Sequence, residues 1–188
     1  MKVVIIDYGA GNLFSVQQAF KRLGIEPIIS FDGDVISTAT HVVFPGVGHA
    51  KAAMEQLKSK RLDSLIPQLK QPVLGICLGM QLLCEFTEEG NEECLGVFRS
   101  RIELISDEVI VPHMGWNDVH FPGSEALSKP YYFVHSYKAP IGEDTWATCD
   151  YGQPFSAALR RNNFFGVQFH PEKSSQQGTQ LLTEFLQQ

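Results

Sequence analysis

Pro72-Val73-Leu74-Gly75-Ile76-Cys77-Leu78-Gly79-Met80-Gln81 passes from a short apolar run, entered through a proline, into the helix-forming residues that continue to Glu85. The apolar run predicts a buried strand, and the residues beyond the glycines predict a helix. Cys77 lies between Gly75 and Gly79, a G-x-C-x-G arrangement with the geometry of a nucleophile elbow. A side chain at either glycine would crowd a turn sharp enough to lift the sulfur out of the sheet. A thiol at a helix start also faces free N–H groups, a setting that favours its anionic, reactive form. Taken alone, the stretch leaves two alternatives, a reactive cysteine and a buried inert one.

Outward from this stretch, the first half alternates strands with helices. Lys2 to Asp7 is a continuous apolar run, as a parallel strand covered on both faces requires. Asn12 is a candidate N-cap, and Leu13, Val16, Phe20 and Leu23 recur at helical spacing until Gly24. Glu26 to Ser30 predicts a second strand, Asp32-Gly33-Asp34 a turn, and His41 to Phe44 a third strand running into the loop Pro45-Gly46-Val47-Gly48. That loop stands at a strand's C-terminal end, where open α/β sheets place their sites; a plain strand-to-helix turn is the competing reading. Residues 50–57 and 62–69 predict helices. The expected fold is a three-layer, doubly wound α/β structure with a largely parallel sheet.

The second half is β-rich. Thr87 to Glu93 is acidic and reads as a solvated loop. Strands are predicted at residues 101–105, 108–111, 131–137, 146–149, 155–159 and 164–169, with Arg160 to Asn163 turning between the last two. Residues 178–186 close the chain as an amphipathic helix. Phe169 is followed by His170-Pro171-Glu172. A histidine beyond a strand end can enter the crevice of Cys77 and exchange its proton near neutral pH. Glu172, past a stiffening proline, can hold the imidazole tautomer, as the third member of a triad does. A purely structural histidine is the alternative at this position.

At 188 residues, 44% hydrophobic, the chain reads as one domain, residues 1–188, large enough for a proper core. A net charge of −6 argues against a nucleic-acid partner. No apolar run approaches membrane-spanning length, and a first strand beginning at Lys2 leaves no room for a signal peptide. Cys77, Cys84, Cys94 and Cys149 show neither metal nor disulfide spacing, so a reducing, cytoplasmic setting is expected and no metal is. Gly9-Ala10-Gly11 invites a nucleotide-binding reading, but Phe14 stands where a third glycine belongs.

Taken together, Pro45 to Gly48, Gly75 to Gln81 and Gly166 to Glu172 resemble the motifs of class I (triad) glutamine amidotransferases. Asp7 to Leu13, Pro112 to Asn117 and Tyr132 to Tyr137 narrow the resemblance to the glutaminase subunits of imidazole glycerol phosphate synthases, which serve histidine biosynthesis. The resemblance implies L-glutamine as substrate, a Cys77-His170-Glu172 triad, a thioester intermediate and no cofactor. It also implies an oxyanion hole from the backbone of Gly46, Val47, Gly48 and Leu78. Glutamine contacts fall at Gln81, Glu85, His135, Ser136 and Tyr137. The ammonia acceptor would sit on a second chain, a (βα)8-barrel cyclase docked through Asn12, Trp116, Asn117 and Lys173. Two rival enzymes remain: the glutaminase of pyridoxal phosphate synthase, whose Gly-Gly-Glu-Ser loop is absent here, and a cysteine peptidase on a similar scaffold.

Overall fold

A computed structural model describes residues 1–188. In chain order the elements are β1 (Val3–Ile6), α1 (Leu13–Arg22), β2 (Ile28–Ser30), α2 (Gly33–Ser37), β3 (His41–Gly46), α3 (Ala50–Ser59), α4 (Leu62–Leu65), β4 (Val73–Cys77) and α5 (Leu78–Leu82). There follow β5 (Phe86–Thr87), β6 (Glu92–Glu93), β7 (Arg101–Leu104), β8 (His113–His120), β9 (Pro130–His135), β10 (Tyr137–Lys138), β11 (Thr145–Tyr151), β12 (Gln153–Arg161), β13 (Phe164–Val167) and α6 (Ser175–Phe185). Single 3-10 turns occupy Ile66–Gln68 and Pro171–Lys173.

The main sheet runs β2-β1-β3-β4-β13-β12-β11-β8-β9. It is parallel from β2 through β13, and the β-rich second half extends it with antiparallel strands. A smaller sheet, β10-β7-β5-β6, stands apart from it. Because successive side chains of a strand point to opposite faces, the buried strands feed two cores at once. Val3, Ile5, Leu74 and Ile76 join Phe20 of α1 and Leu181 and Phe185 of α6 on one face. Val4, Ile6 and Val73 join Ile36 of α2 and Met54 and Leu57 of α3 on the other. This is the three-layer α/β arrangement expected from the alternating pattern. No helix is long and apolar enough to cross a membrane.

Several local expectations are corrected. Asp32 to Asp34 is a helix start: Asp32 Oδ1 accepts from the N–H groups of Asp34 and Val35 and caps α2. Residues 108–111 form no strand, since Pro112 has no N–H for a ladder and Ile110 stays exposed. The strand starts at His113, so Trp116 lies within β8. Thr87 to Glu93 includes parts of a paired hairpin, Phe86 opposite Glu93 and Thr87 opposite Glu92. β3 runs two residues further than expected, so Pro45 and Gly46 belong to the strand and only Val47 and Gly48 to the turn.

Candidate active site

Cys77 ends β4, which has parallel neighbours on both sides, β3 and β13. Its backbone takes φ 54° and ψ −112°, a left-handed, non-helical conformation that a cysteine adopts only when its surroundings impose it. The flanking glycines supply that constraint. A Cβ at Gly75 would lie 2.8 Å from Leu83 Cδ1 and 2.9 Å from Met80 N, and one at Gly79 would overlap the Phe44 carbonyl oxygen. The strand and helix thus cross too closely for any side chain, and the turn tips the sulfur to the sheet's C-terminal edge. The helix beyond it is only one turn, Leu78–Leu82. So short a helix carries little dipole, and the polar atoms nearest the sulfur are the Val134 carbonyl oxygen at 3.8 Å and Gln168 Nε2 at 3.7 Å.

Residue pairing brings the histidine to the cysteine. Val167 of β13 is in register with Ile76, so the chain leaving β13 passes beside Cys77. There it carries Gln168, Phe169 and then His170, whose N–H donates to the Tyr132 carbonyl of β9. Pro171–Lys173 curls into a 3-10 turn, which puts Glu172 Oε1 2.8 Å from His170 Nδ1. The side chains of both are almost fully buried, at 3% and 2% exposure. Gly178 makes this turn possible, since a Cβ there would overlap the Pro171 carbonyl.

Cys77, 8% exposed, and His170 line one cavity of about 160 Å³ with Val47, Gly48, Leu78, Gln81, Glu89, Val134, His135, Ser136 and Lys173. His170 Nε2 has no hydrogen-bond partner and shares the cavity with the Cys77 sulfur. Burial works against charge on this ring, but the sulfur and Glu172 outweigh it and carry the His170 pKa up to about 10. Nδ1 is held on Glu172, and Nε2 is the nitrogen left free to hold or give a proton in the cavity.

The remaining residues divide clearly. Val47 and Gly48 (φ +98°) form the turn facing the cavity, and Leu78 borders it. Gly46 does not: it ends β3, in register with Cys77. Its lack of a side chain matters instead because a Cβ would lie 2.6 Å from Gly79 N and 2.7 Å from the Tyr8 hydroxyl. Glu85 is exposed and away from the cavity, with its backbone tied to Ser100 and Cys94. Ser136 lines the cavity, whereas Tyr137 contributes its carbonyl and packs its ring against the second core. His135 lines it too, but both its ring nitrogens are engaged within the protein, to Tyr137 O at 2.7 Å and His113 at 2.9 Å.

Two residues, one lining the cavity and one buried behind Cys77, were not legible in the sequence. Glu89, read as part of a solvated acidic loop, lines the cavity, and its Oε2 accepts from Ala50 N at 2.8 Å at the start of α3. Gln168 is buried, with Nε2 3.7 Å from the Cys77 sulfur and Oε1 2.8 Å from Gln81 Nε2. Its one sequence signal is its position immediately before Phe169-His170 on a strand adjacent to the elbow.

Of the residues assigned to docking, Trp116 is half exposed at 51% and packs edge-on to Tyr132. Lys173 stands at the cavity mouth. Asn12 is exposed but caps α1 through Ser15 N and borders a small void shared with His170 and Glu172. Asn117 turns inward, donating to Asp150 O at 2.9 Å and approaching His113 Nε2 at 3.3 Å. All four cysteines are free, and no cluster of three or more metal-ligating side chains is present.

The glutamine amidotransferase class-I family matches residues 4–188. An imidazole glycerol phosphate synthase subunit HisH from Bacteroides fragilis (strain YCH46) is 49% identical over 196 aligned residues, covering all of both chains. The subunit of the same name from Escherichia coli (strain K12) is 46% identical over 195, again over all of both. A crystal structure described as a glutamine amidotransferase superposes with a TM-score of 0.79 over 98% of this chain and 97% of that one, at 19% identity. The PurLQS structure from Thermotoga maritima gives 0.73 over 99% and 97%, at 17%, a likeness of fold. The chain belongs to the class-I glutamine amidotransferases and, within them, to the family of imidazole glycerol phosphate synthase HisH subunits.

Proposed function

We propose that this protein is the glutaminase subunit of an imidazole glycerol phosphate synthase, one domain over residues 1–188 that releases ammonia from L-glutamine for a cyclase partner. The observation that carries the chemistry is the meeting of Cys77 and His170 in one cavity, with Glu172 on the far nitrogen of the imidazole. The Cys77 sulfur attacks the side-chain carboxamide carbon, and the His170 Nε2–H passes to the departing nitrogen as ammonia leaves. The neutral imidazole then takes a proton from water, whose oxygen displaces the sulfur and yields glutamate. Glu172 keeps Nδ1 protonated throughout, so Nε2 alone handles the moving proton.

The tetrahedral oxyanion falls to backbone N–H groups of Val47, Gly48 and Leu78, each such donor contributing about 2.7–4 kcal/mol in comparable sites. Glu89 is suited to the substrate's α-ammonium group, and the backbone near Ser136 to its amino-acid end. No cofactor is needed for any step.

The partner is a (βα)8-barrel cyclase seated over the cavity. Ammonium is not a nucleophile, so ammonia must pass directly to its acceptor and not through solvent. Exposed Trp116 and Met114 on β8, Lys173 at the cavity mouth and Asn12 are its contacts. A cytoplasmic setting suits four unpaired thiols. The test is glutamine turnover with the barrel subunit added and withheld. The proposal expects stimulation by the partner, with Cys77→Ala abolishing glutamine-dependent but not ammonium-dependent synthesis. Equal turnover in both conditions, or loss of both syntheses, would count against it.

A further inference from the structure

A carbonyl oxygen can only accept hydrogen bonds, and here one such oxygen determines what faces the nucleophile. The Tyr137 carbonyl receives His135 Nδ1 at 2.7 Å and Gln81 Nε2 at 3.0 Å. The Gln81 amide must therefore turn its nitrogen toward Tyr137, and its second N–H meets Gln168 Oε1 at 2.8 Å. With its oxygen so engaged, Gln168 has only its nitrogen left for the Cys77 sulfur, 3.7 Å away. A flipped amide would put an electron-rich oxygen there.

The other arm of the chain has the same polarity. Asn117 Oδ1 accepts from Asp118 N at 2.8 Å, so its Nδ2 is the atom facing Asp150 O and His113 Nε2. His113 Nε2 is then an acceptor and its Nδ1 carries the proton, donated to His135 Nε2 at 2.9 Å. His135 in turn keeps its proton on Nδ1, as the Tyr137 carbonyl requires. Both ends of the chain demand the same tautomers, and both rings are buried. His113 is also stacked on Tyr151 and Phe133, at 3.9 and 4.7 Å between ring centroids.

We propose that Gln168 is a further catalytic residue, its N–H held on the Cys77 sulfur by this chain, with Gln81, His135 and His113 acting as positioning residues. This rests on Cys77 being the nucleophile. The donor on the sulfur orients it and stabilises the thiolate that leaves on thioester cleavage, without occupying the oxyanion pocket.

The experiment measures kcat and KM for glutamine in the complex with the barrel subunit, for wild type, Gln168→Met, His113→Phe and His113→Gln. Met keeps the shape of Gln168 but has no N–H; kcat is expected to fall about tenfold or more with KM nearly unchanged. At position 113, Phe preserves the stacking and Gln preserves a donor and an acceptor. A positioning role expects Gln to retain most of kcat and Phe to lose about tenfold. A packing role gives the opposite order, with Phe tolerated, and would overturn the proposal, as would an unchanged kcat in Gln168→Met. Should one variant fail to fold, the other position still decides. Labelling of Cys77 in wild type by 6-diazo-5-oxo-L-norleucine separates the premises. If the label does not reach Cys77, the catalytic reading fails; if it does and the variants behave as wild type, only this inference fails.

Discussion

Lowering the pH from 7.5 to 5 should destabilise the fold through two buried imidazoles. Burial pushes His113 down to about 4; it also pushes His135 down to about 3, against the bond to the Tyr137 carbonyl and with the neighbouring His113 and His170 adding to it. Both are neutral in the folded chain at pH 5, while an unfolded histidine titrates near 6.5 and is protonated there. The unfolded state binds more protons below 6.5, so stability from these rings is present above that value and lost as pH falls toward the folded values. Each ring contributes a loss of RT ln[(1 + 10^1.5)/(1 + 10^−1)] or slightly more at pH 5, about 2 kcal/mol, hence about 4 kcal/mol together. His170 works the other way. Its value, raised to about 10, makes its contribution largest below 6.5 and erodes it as pH climbs toward 10, so acidification over this window restores roughly 1 kcal/mol. The net loss is about 3 kcal/mol. With a urea dependence of about 2 kcal/mol per molar, the unfolding midpoint drops by more than about 1 M. Urea titrations at the two pH values measure this directly, and His113→Phe should remove most of the difference. An equal or higher midpoint at pH 5 would refute the neutral pair and, with it, the tautomer chain to Tyr137.

Other substitutions test the elbow, an orphaned hydroxyl and the docking face. Gly79→Ala drives a Cβ into the Phe44 carbonyl, backbone against backbone, and should cost about 3 kcal/mol or more by thermal or urea unfolding; a near-neutral result would mean the elbow is looser than its geometry. Tyr8→Phe removes a buried hydroxyl with no partner, so stability should rise by about 1 kcal/mol in the same assay, and a loss would reveal a bond made by that group. Trp116→Ala should weaken binding of the barrel subunit by about 2 kcal/mol, roughly thirtyfold in a titration, while leaving the fold's own stability nearly unchanged. Undiminished affinity would remove β8 from the interface.

Much of the site could be read in one dimension because its motifs are local. The Gly75-Ile76-Cys77-Leu78-Gly79 turn is forced by close approach of a strand and its own helix, and the two glycines announce that approach. His170 and Glu172 are two residues apart, so a single turn pairs them. Continuous apolar runs such as Val3 to Ile6 announce a sheet covered on both faces. Where the local reading failed, the deciding contact was distant. Glu89 resembles any acidic loop residue until the α3 N-terminus, 39 residues earlier, comes to need a cap. Trp116 and Asn117 sit side by side in the sequence, yet the period-two alternation of β8 turns one to the surface and the other inward.

By itself, then, the sequence determined the elbow, the pairing of His170 with Glu172, the α/β layering and the family, since each rests on short-range sterics or on motifs read in order. Only the tertiary structure decided which polar groups share the cavity and which way their hydrogen bonds point. Gln168 reaches Cys77 because β13 and β4 are adjacent in the sheet though 91 residues separate the two in the chain. The polarity of its amide is settled by a carbonyl on yet another strand, because a hydrogen-bond donor has a direction only once its acceptor is in place.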